Sequence, residues 1–182
     1  MEKEVAEAVP YNDIEGHWAK DTIVSLYRSG TLESADDFKF RPDDSVTRAD
    51  FVTMIMKALG KEEAEYKDIY SDISASDKNA GYIQAATDMG IIEGFEGNFE
   101  SQGLLTREQM AKILVLASKA SSADRDTSFA DWNEISDWAK EYVGTGWKNG
   151  LFKGNAENKF MPKSNLTRAE SAQCAFNIGE LK

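Results

Sequence analysis

The sequence predicts an all-α fold, three helix-loop-helix units gathered into one compact, pseudo-threefold domain. Three observations carry that expectation. The stretch Thr47-Arg48-Ala49-Asp50 recurs as Thr106-Arg107-Glu108-Gln109 and as Thr167-Arg168-Ala169-Glu170, each time opening an apolar run with helical spacing. Other landmarks return at matching offsets: Asp13, Asp72 and Asp131 are 59 residues apart, and Gly30, Gly90 and Gly150 are 60 apart. Each unit holds one modest amphipathic pair of helices, too little apolar surface to be stable alone, so the second helices are expected to share a core.

The elements follow in order. The first unit opens at Tyr11-Asn12-Asp13-Ile14. A helix is expected over Trp18–Ser29, with Ala19, Ile23 and Leu26 on one face, and Gly30 stands where a left-handed C-terminal cap belongs. A loop through Phe40-Arg41-Pro42 leads to the helix opened by Thr47, which carries Phe51, Val52, Ile55 and Leu59. The second unit repeats this with Tyr70-Ser71-Asp72-Ile73, a helix over Tyr82–Met89, Gly90, Phe99 and a helix bearing Met110, Ala111, Leu114 and Ala117. The third runs from Phe129-Ala130-Asp131-Trp132 through a helix over Trp138–Lys148, Gly150 and Phe160 to Ala172, Ala175 and Phe176. Phe40, Phe99 and Phe160 are each expected to plug the space between their unit's two helices. Polar connectors over 61–67 and 118–128 divide the chain into repeats 11–60, 70–119 and 129–180 of one domain spanning 11–180. Small Ala111, Ala172 and Ala175 would let the second helices approach closely at the centre.

Composition removes several function classes. The single Cys174 excludes an internal disulfide and any multi-cysteine metal site, and one His17 excludes His-rich zinc arrangements. Hydrolytic triads would have to run through His17, and no nucleophile-elbow, phosphate-loop or EF-hand pattern accompanies it. His17 reads as a helix-start residue and Cys174, aligned with Met54 and Ile113, as a packed small hydrophobe. No enzyme, cofactor or metal is expected. No apolar run is long enough to span a bilayer, so no membrane insertion is expected. The formal net charge of −11 argues against nucleic acid and against an acidic membrane surface as partners. Residues 1–10 lack the basic and apolar regions of a signal peptide, although Met1 could equally be a start placed on a mature fragment.

Thr47, Thr106 and Thr167, each followed three residues on by Asp50, Gln109 or Glu170, read as capping boxes that satisfy orphan N–H groups. The Arg inside each first turn is the odd part, because the helix dipole favours anions there. Two readings stay open for Arg48, Arg107 and Arg168. They could recognise a ligand carboxylate, which a planar bidentate guanidinium suits, with free N–H groups at the same helix start adding to the site. They could equally tie down Asp13, Asp72 and Asp131 by structural ion pairs. Trp18 and Trp138 could stack on a sugar ring, although a Trp opening an amphipathic helix is ordinarily core.

The ordered motifs, Tyr11-Asn12-Asp13-Ile14, His17-Trp18-Ala19, Phe40-Arg41-Pro42, Thr47-Arg48-Ala49-Asp50, Gly90-Ile91-Ile92-Glu93-Gly94 and Gly150-Leu151-Phe152-Lys153-Gly154, resemble the S-layer homology family. The resemblance covers residues 11–180 in triplicate. It implies a three-pronged domain around a central three-helix bundle with one helix from each repeat. It also implies non-covalent anchoring of a secreted bacterial protein to the cell wall, with an anionic secondary cell-wall polysaccharide, bearing ketal-linked pyruvate on N-acetylmannosamine, held in grooves between repeats. Peptidoglycan, or assembly with other surface proteins, is the alternative partner. Ligand contacts are implied for Arg48, Arg107 and Arg168; Asp13, Asp72 and Asp131; Trp18 and Trp138; Gly30, Gly90 and Gly150; and the accompanying Thr47, Thr106 and Thr167. The copies depart from one another. The second has Gly81-Tyr82 in the neighbourhood of the Trp, no Pro after Phe99, and Gln109 for the acid of the box; the first has Ser34 for the loop's second Gly. Inequivalent grooves are therefore expected.

Overall fold

A computed structural model of the chain describes residues 9–121 and 129–181. The polar connector expected over 118–128 lies outside the described residues from 122 onward, as does the start of the chain through residue 8. The described residues are all-α: α1 (Lys20–Arg28), α2 (Arg48–Ala58), α3 (Ala80–Asp88), α4 (Arg107–Ser118), α5 (Asp137–Lys148) and α6 (Arg168–Gly179), with a short 3-10 turn at Trp132–Glu134. Among them there is no strand, only isolated bridge pairings.

The Thr boxes work as caps. Thr47, Thr106 and Thr167 each accept the N–H of the residue three positions on, and in α4 and α6 Gln109 and Glu170 reach back to complete the box. Asp50 is one methylene shorter and leaves its box half made. Helix α1 ends in a Schellman turn: the Gly30 N–H donates to Tyr27 O and the Thr31 N–H to Leu26 O at 2.9 Å, with Gly30 at φ 78°. Gly90 and Gly150 end α3 and α5 in the same way.

The three second helices meet at the centre, where α2, α4 and α6 each contact the other two. Phe51, Met110, Ala111, Leu114, Ala172 and Ala175 are fully buried there or beside it. The residue before each Thr joins the neighbouring copy through the backbone. The Val46 N–H donates to Leu166 O, the Leu166 N–H to Leu105 O and the Leu105 N–H to Val46 O, at 2.9, 2.8 and 3.4 Å. The three bonds close a ring among fully buried residues.

The packed helix pairs differ from the pairs read along the sequence. First helices lie mainly against the second helix of the preceding repeat: α3 on α2, α5 on α4, and α1 back on α6. The loop aromatics follow the same displacement. Phe40, Phe99 and Phe160, expected to plug the space between their own repeat's helices, are fully buried. Each lies under the Arg of the preceding repeat, with Arg168, Arg48 and Arg107 guanidinium carbons 4.9, 4.8 and 5.2 Å from the ring centroids. The physical reason is a clamp at the loop. Asp13 accepts the N–H groups of Phe40 and Arg41, Asp72 those of Phe99, Glu100 and Ser101, and Asp131 those of Phe160 and Met161. The residue after each Phe is left-handed, with φ of 57°, 61° and 59° at Arg41, Glu100 and Met161. Successive N–H groups in such a turn converge on one anion, which the carboxylate supplies.

Candidate functional site: three grooves between repeats

Each groove is built from at least two repeats. In the first, Arg48 of repeat one lies over the loop 91–100 of repeat two, beside Gln109 and Lys112 of α4 and Trp138 at the start of α5. The second sets Arg107 over the repeat-three loop through Phe152, Lys153, Gly154 and Phe160, with Trp18 of repeat one on its wall. The third has Arg168 above Phe40, with Glu33, Asp50, Lys57, Lys78 and Asn79 around it. The first two enclose about 470 and 480 Å³, the third about 340 Å³. All three fall in the range of small-ligand clefts.

The guanidinium groups are held rigidly. Arg107 donates from Nε to Phe160 O at 2.6 Å, from Nη2 to Lys153 O at 3.1 Å and from Nη1 to Glu170 Oε1 at 2.5 Å. Arg168 donates from Nε to Phe40 O at 2.7 Å and stands 3.8 Å from Asp50. Arg48 donates from Nη2 to Glu93 O at 2.9 Å, but its Nε is buried with no partner. Burial holds Arg48 below the ordinary guanidinium range, and the more distant Glu100, Tyr70 and Glu93 offset part of that penalty. At the mouth of this groove Lys112 pairs with Glu93 at 2.7 Å, and that contact holds the Glu93 carboxyl below its usual range.

Five of the fourteen candidate residues line the grooves: Arg48, Arg107, Arg168, Trp18 and Trp138. Both Trp residues face solvent, at 63% and 49% exposure, and are not core. The reason is register: the next residue, Ala19 or Ala139, is fully buried and takes the inward position. Asp13, Asp72 and Asp131 line none of the three grooves, because their oxygens are taken by loop N–H groups. Burial alone would raise the carboxyls of Asp13 and Asp72, yet those backbone bonds outweigh it and hold both below the ordinary value. The ion pairs of the alternative reading, between these Asp residues and the Arg residues, are not made; Arg107 and Arg168 pair with the box acids Glu170 and Asp50 instead. Gly30, Gly90 and Gly150 end helices outside the grooves, and Thr47, Thr106 and Thr167 spend their hydroxyls on caps.

The helix starts offer no free N–H groups either. The Arg48, Arg107 and Arg168 N–H groups donate to Gly103, Ser164 and Asp44 carbonyls, and the next residues donate to Ser101, Pro162 and Pro42. The position of the missing Trp is also corrected. Lys78, not Gly81-Tyr82, stands there: it is exposed and precedes the buried Asn79, as Trp18 precedes the buried Ala19, and it lies 3.7 Å from Asp50. That groove is therefore the one without an indole, and its Arg is Arg168.

Sequence reasoning missed Gly94 and Gly154 as groove residues, although both stand in the quoted Gly-x-x-x-Gly stretches. A Cβ at Gly94 would lie 2.3 Å from Tyr70 Cε1 and 2.5 Å from Asn98 O; one at Gly154 would lie 2.6 Å from Phe129 Cε1. The loop can fold under the Arg only without a side chain there. Gln173 and Asn177 on α6 were also missed. Thr22 Oγ1 donates to Gln173 Oε1, Gln173 Nε2 to Asn177 Oδ1, and Asn177 Nδ2 to Leu151 O, a polar line along the Arg107 groove. His17 holds the start of α1, its Nδ1 accepting the Ala19 N–H at 3.1 Å. Cys174 is packed against Met110, and burial pushes its thiol up to about 12, away from nucleophilic reach.

The S-layer homology domain model matches this chain three times, over residues 10–52, 69–111 and 128–172. The chain is 37% identical to "Exoglucanase XynX" of Acetivibrio thermocellus over 179 residues, covering 96% of this chain and 16% of that protein. It is 31% identical to the "Surface-layer 125 kDa protein" of Lysinibacillus sphaericus, covering 92% of this chain and 14% of the other. With the "S-layer protein" of Bacillus thuringiensis subsp. finitimus it shares 29% identity over 86% of this chain and 20% of that protein. The chain thus spans at most a fifth of the length of these relatives, and what it shares with the exoglucanase is the repeat module, not a catalytic domain. By these matches the chain belongs to the S-layer homology domain family, a family of cell-wall-binding modules of the cell surface.

Proposed function

We propose that this module anchors a secreted bacterial protein to the cell wall without a covalent bond, by holding an acidic, pyruvylated secondary wall polysaccharide in the grooves between repeats. One observation carries the reading. Two grooves each combine a guanidinium from one repeat with a solvent-facing Trp from another. The guanidinium can take a carboxylate through charge-assisted hydrogen bonds, and the indole offers a broad flat surface to a pyranose ring. The overall charge of −11 would repel a polyanion elsewhere, so attraction is confined to these focused positions. Asp13, Asp72 and Asp131 serve the reading by holding the groove floors, and the Thr boxes by fixing where each Arg begins.

Calorimetry with purified wall polysaccharide, before and after removal of its pyruvyl ketals, tests this. Loss of a carboxylate that accepts charge-assisted bonds should weaken binding by about 1.5–3 kcal/mol. Equal affinity for both polymers would overturn the carboxylate mechanism.

A further inference from the structure

The three grooves differ at one position of the capping box, occupied by Asp50, Gln109 or Glu170. Glu170 divides its carboxylate: Oε2 accepts the Thr167 N–H at 2.9 Å, and Oε1 accepts Arg107 Nη1 at 2.5 Å. Asp50 stands 3.8 Å from Arg168 and is shared with Lys78 at 3.7 Å and Asn79 at 3.4 Å. Gln109 occupies the corresponding place beside Arg48. Its Oε1 closes the box on the Thr106 N–H at 3.0 Å, so what remains for the groove is an amide NH₂, which donates and cannot accept. Among the described residues Arg48 accordingly forms no ion pair. Among the same residues its Nη1 makes no hydrogen bond and its buried Nε has no partner, whereas the Nε groups of Arg107 and Arg168 donate to loop carbonyls.

We infer that Gln109 makes the Arg48 groove the principal seat of the ligand carboxylate: two arginines are answered by a carboxylate of the chain itself, and the third is left for the ligand to answer. This deepens the proposed function and rests on it. In the Arg107 and Arg168 grooves an incoming carboxylate must compete with Glu170 or Asp50. In the Arg48 groove it meets unspent donors on a guanidinium already fixed over Phe99, with Trp138 on the wall and Lys112 at the mouth. Glu100 and Glu93 offset only part of the burial of Arg48 and neither forms an ion pair with it, so a contacting carboxylate gains more here than where one is already in place.

The indole N–H signals of Trp138 and Trp18 report separately on the Arg48 and Arg107 grooves in a ¹⁵N-edited NMR titration. The titrant is a methyl glycoside of N-acetylmannosamine bearing ketal-linked pyruvate, with its methyl ester as the neutral control. The Trp138 signal should move at lower concentration than the Trp18 signal. Gln109→Glu, which keeps the capping box as Glu170 does in α6, should raise the Trp138 midpoint about tenfold and leave the Trp18 midpoint in place. Glu170→Gln should lower the Trp18 midpoint by a similar factor. An unchanged Trp138 midpoint in Gln109→Glu, with the wild-type response to the acid intact, overturns the inference alone. If the acid and its ester move the wild-type indoles equally, or move neither, the carboxylate reading falls and this inference with it.

Discussion

Asp131→Ala removes the clamp under the Arg107 groove, and its effect follows from the contacts it deletes. Asp131 is 5% exposed and accepts the Phe160 N–H at 2.8 Å and the Met161 N–H at 2.6 Å. Hydrogen bonds to a charged acceptor contribute about 1.5–3 kcal/mol each, and the buried Phe160 N–H would be left without a partner. Met161 sits at φ 59°, a conformation that costs about 1–3 kcal/mol and persists only while its surroundings hold it. A loss of about 3–5 kcal/mol is expected, since the two bonds share one carboxylate and do not add fully. For a chain of this size each kcal/mol shifts the melting temperature by about 2–4 °C, so calorimetric melting at pH 7 should fall by about 6–20 °C. Asp131→Asn keeps one acceptor oxygen and should lose about half as much. The damage should also reach the groove, because Arg107 Nε rests on the Phe160 carbonyl. Melting of Asp131→Ala within about 1 °C of the wild type would refute the clamp.

Other outcomes follow from the same contacts. Asp13 and Asp72 have carboxyls held below the ordinary value, so the unfolded chain binds more protons than the folded one in acid. Their stabilisation should be complete above the unfolded value near ~4 and should drain away as pH falls through the lower folded values; urea midpoints from pH 7 to 2 should show this drop flattened in Asp13→Asn/Asp72→Asn, and an unchanged slope would contradict it. Gly94→Ala would press a Cβ into Tyr70 and the Asn98 carbonyl and should destabilise by about 1–3 kcal/mol in urea unfolding, whereas Gly30→Ala meets no neighbouring atom and is penalised only through its positive φ. Trp138→Ala, at an exposed position, should change stability by no more than about 0.5 kcal/mol while weakening polymer binding in calorimetry by about 1 kcal/mol. A large fall in melting temperature for that variant would assign Trp138 to the core after all.

The helix starts and stops were legible because they depend on local chemistry: a Thr with Gln109 or Glu170 three residues on, or a Gly with a Schellman turn, carries its partners within a few residues. The identity of the groove partners was not. Repetition shows that Arg48, Arg107 and Arg168 are equivalent, but not which copy each one touches, and the structure displaces every contact by one repeat, down to α1 closing on α6. The same displacement separates each Arg from the Trp of its own repeat, so that Arg48 shares a groove with Trp138 and Arg107 with Trp18. Spacing misled at one point: Trp18, Lys78 and Trp138 follow Asp13, Asp72 and Asp131 by five, six and seven residues. The ion-pair alternative for the repeated Asp fails for a physical reason: the backbone N–H groups that converge on each carboxylate come from a loop some 27 to 30 residues away, which spacing does not bring into view.

In the proposed mode of binding, a ligand carboxylate completes the Arg48 guanidinium in a groove walled by Trp138. A crystal structure of the chain soaked with the pyruvylated N-acetylmannosamine glycoside tests it most directly. The carboxylate is expected within about 3 Å of Arg48 Nη1, in the place Glu170 takes beside Arg107, with the sugar ring against the Trp138 indole. A glycoside bound only at Arg168, or bound with its carboxylate turned to solvent away from all three arginines, would contradict it.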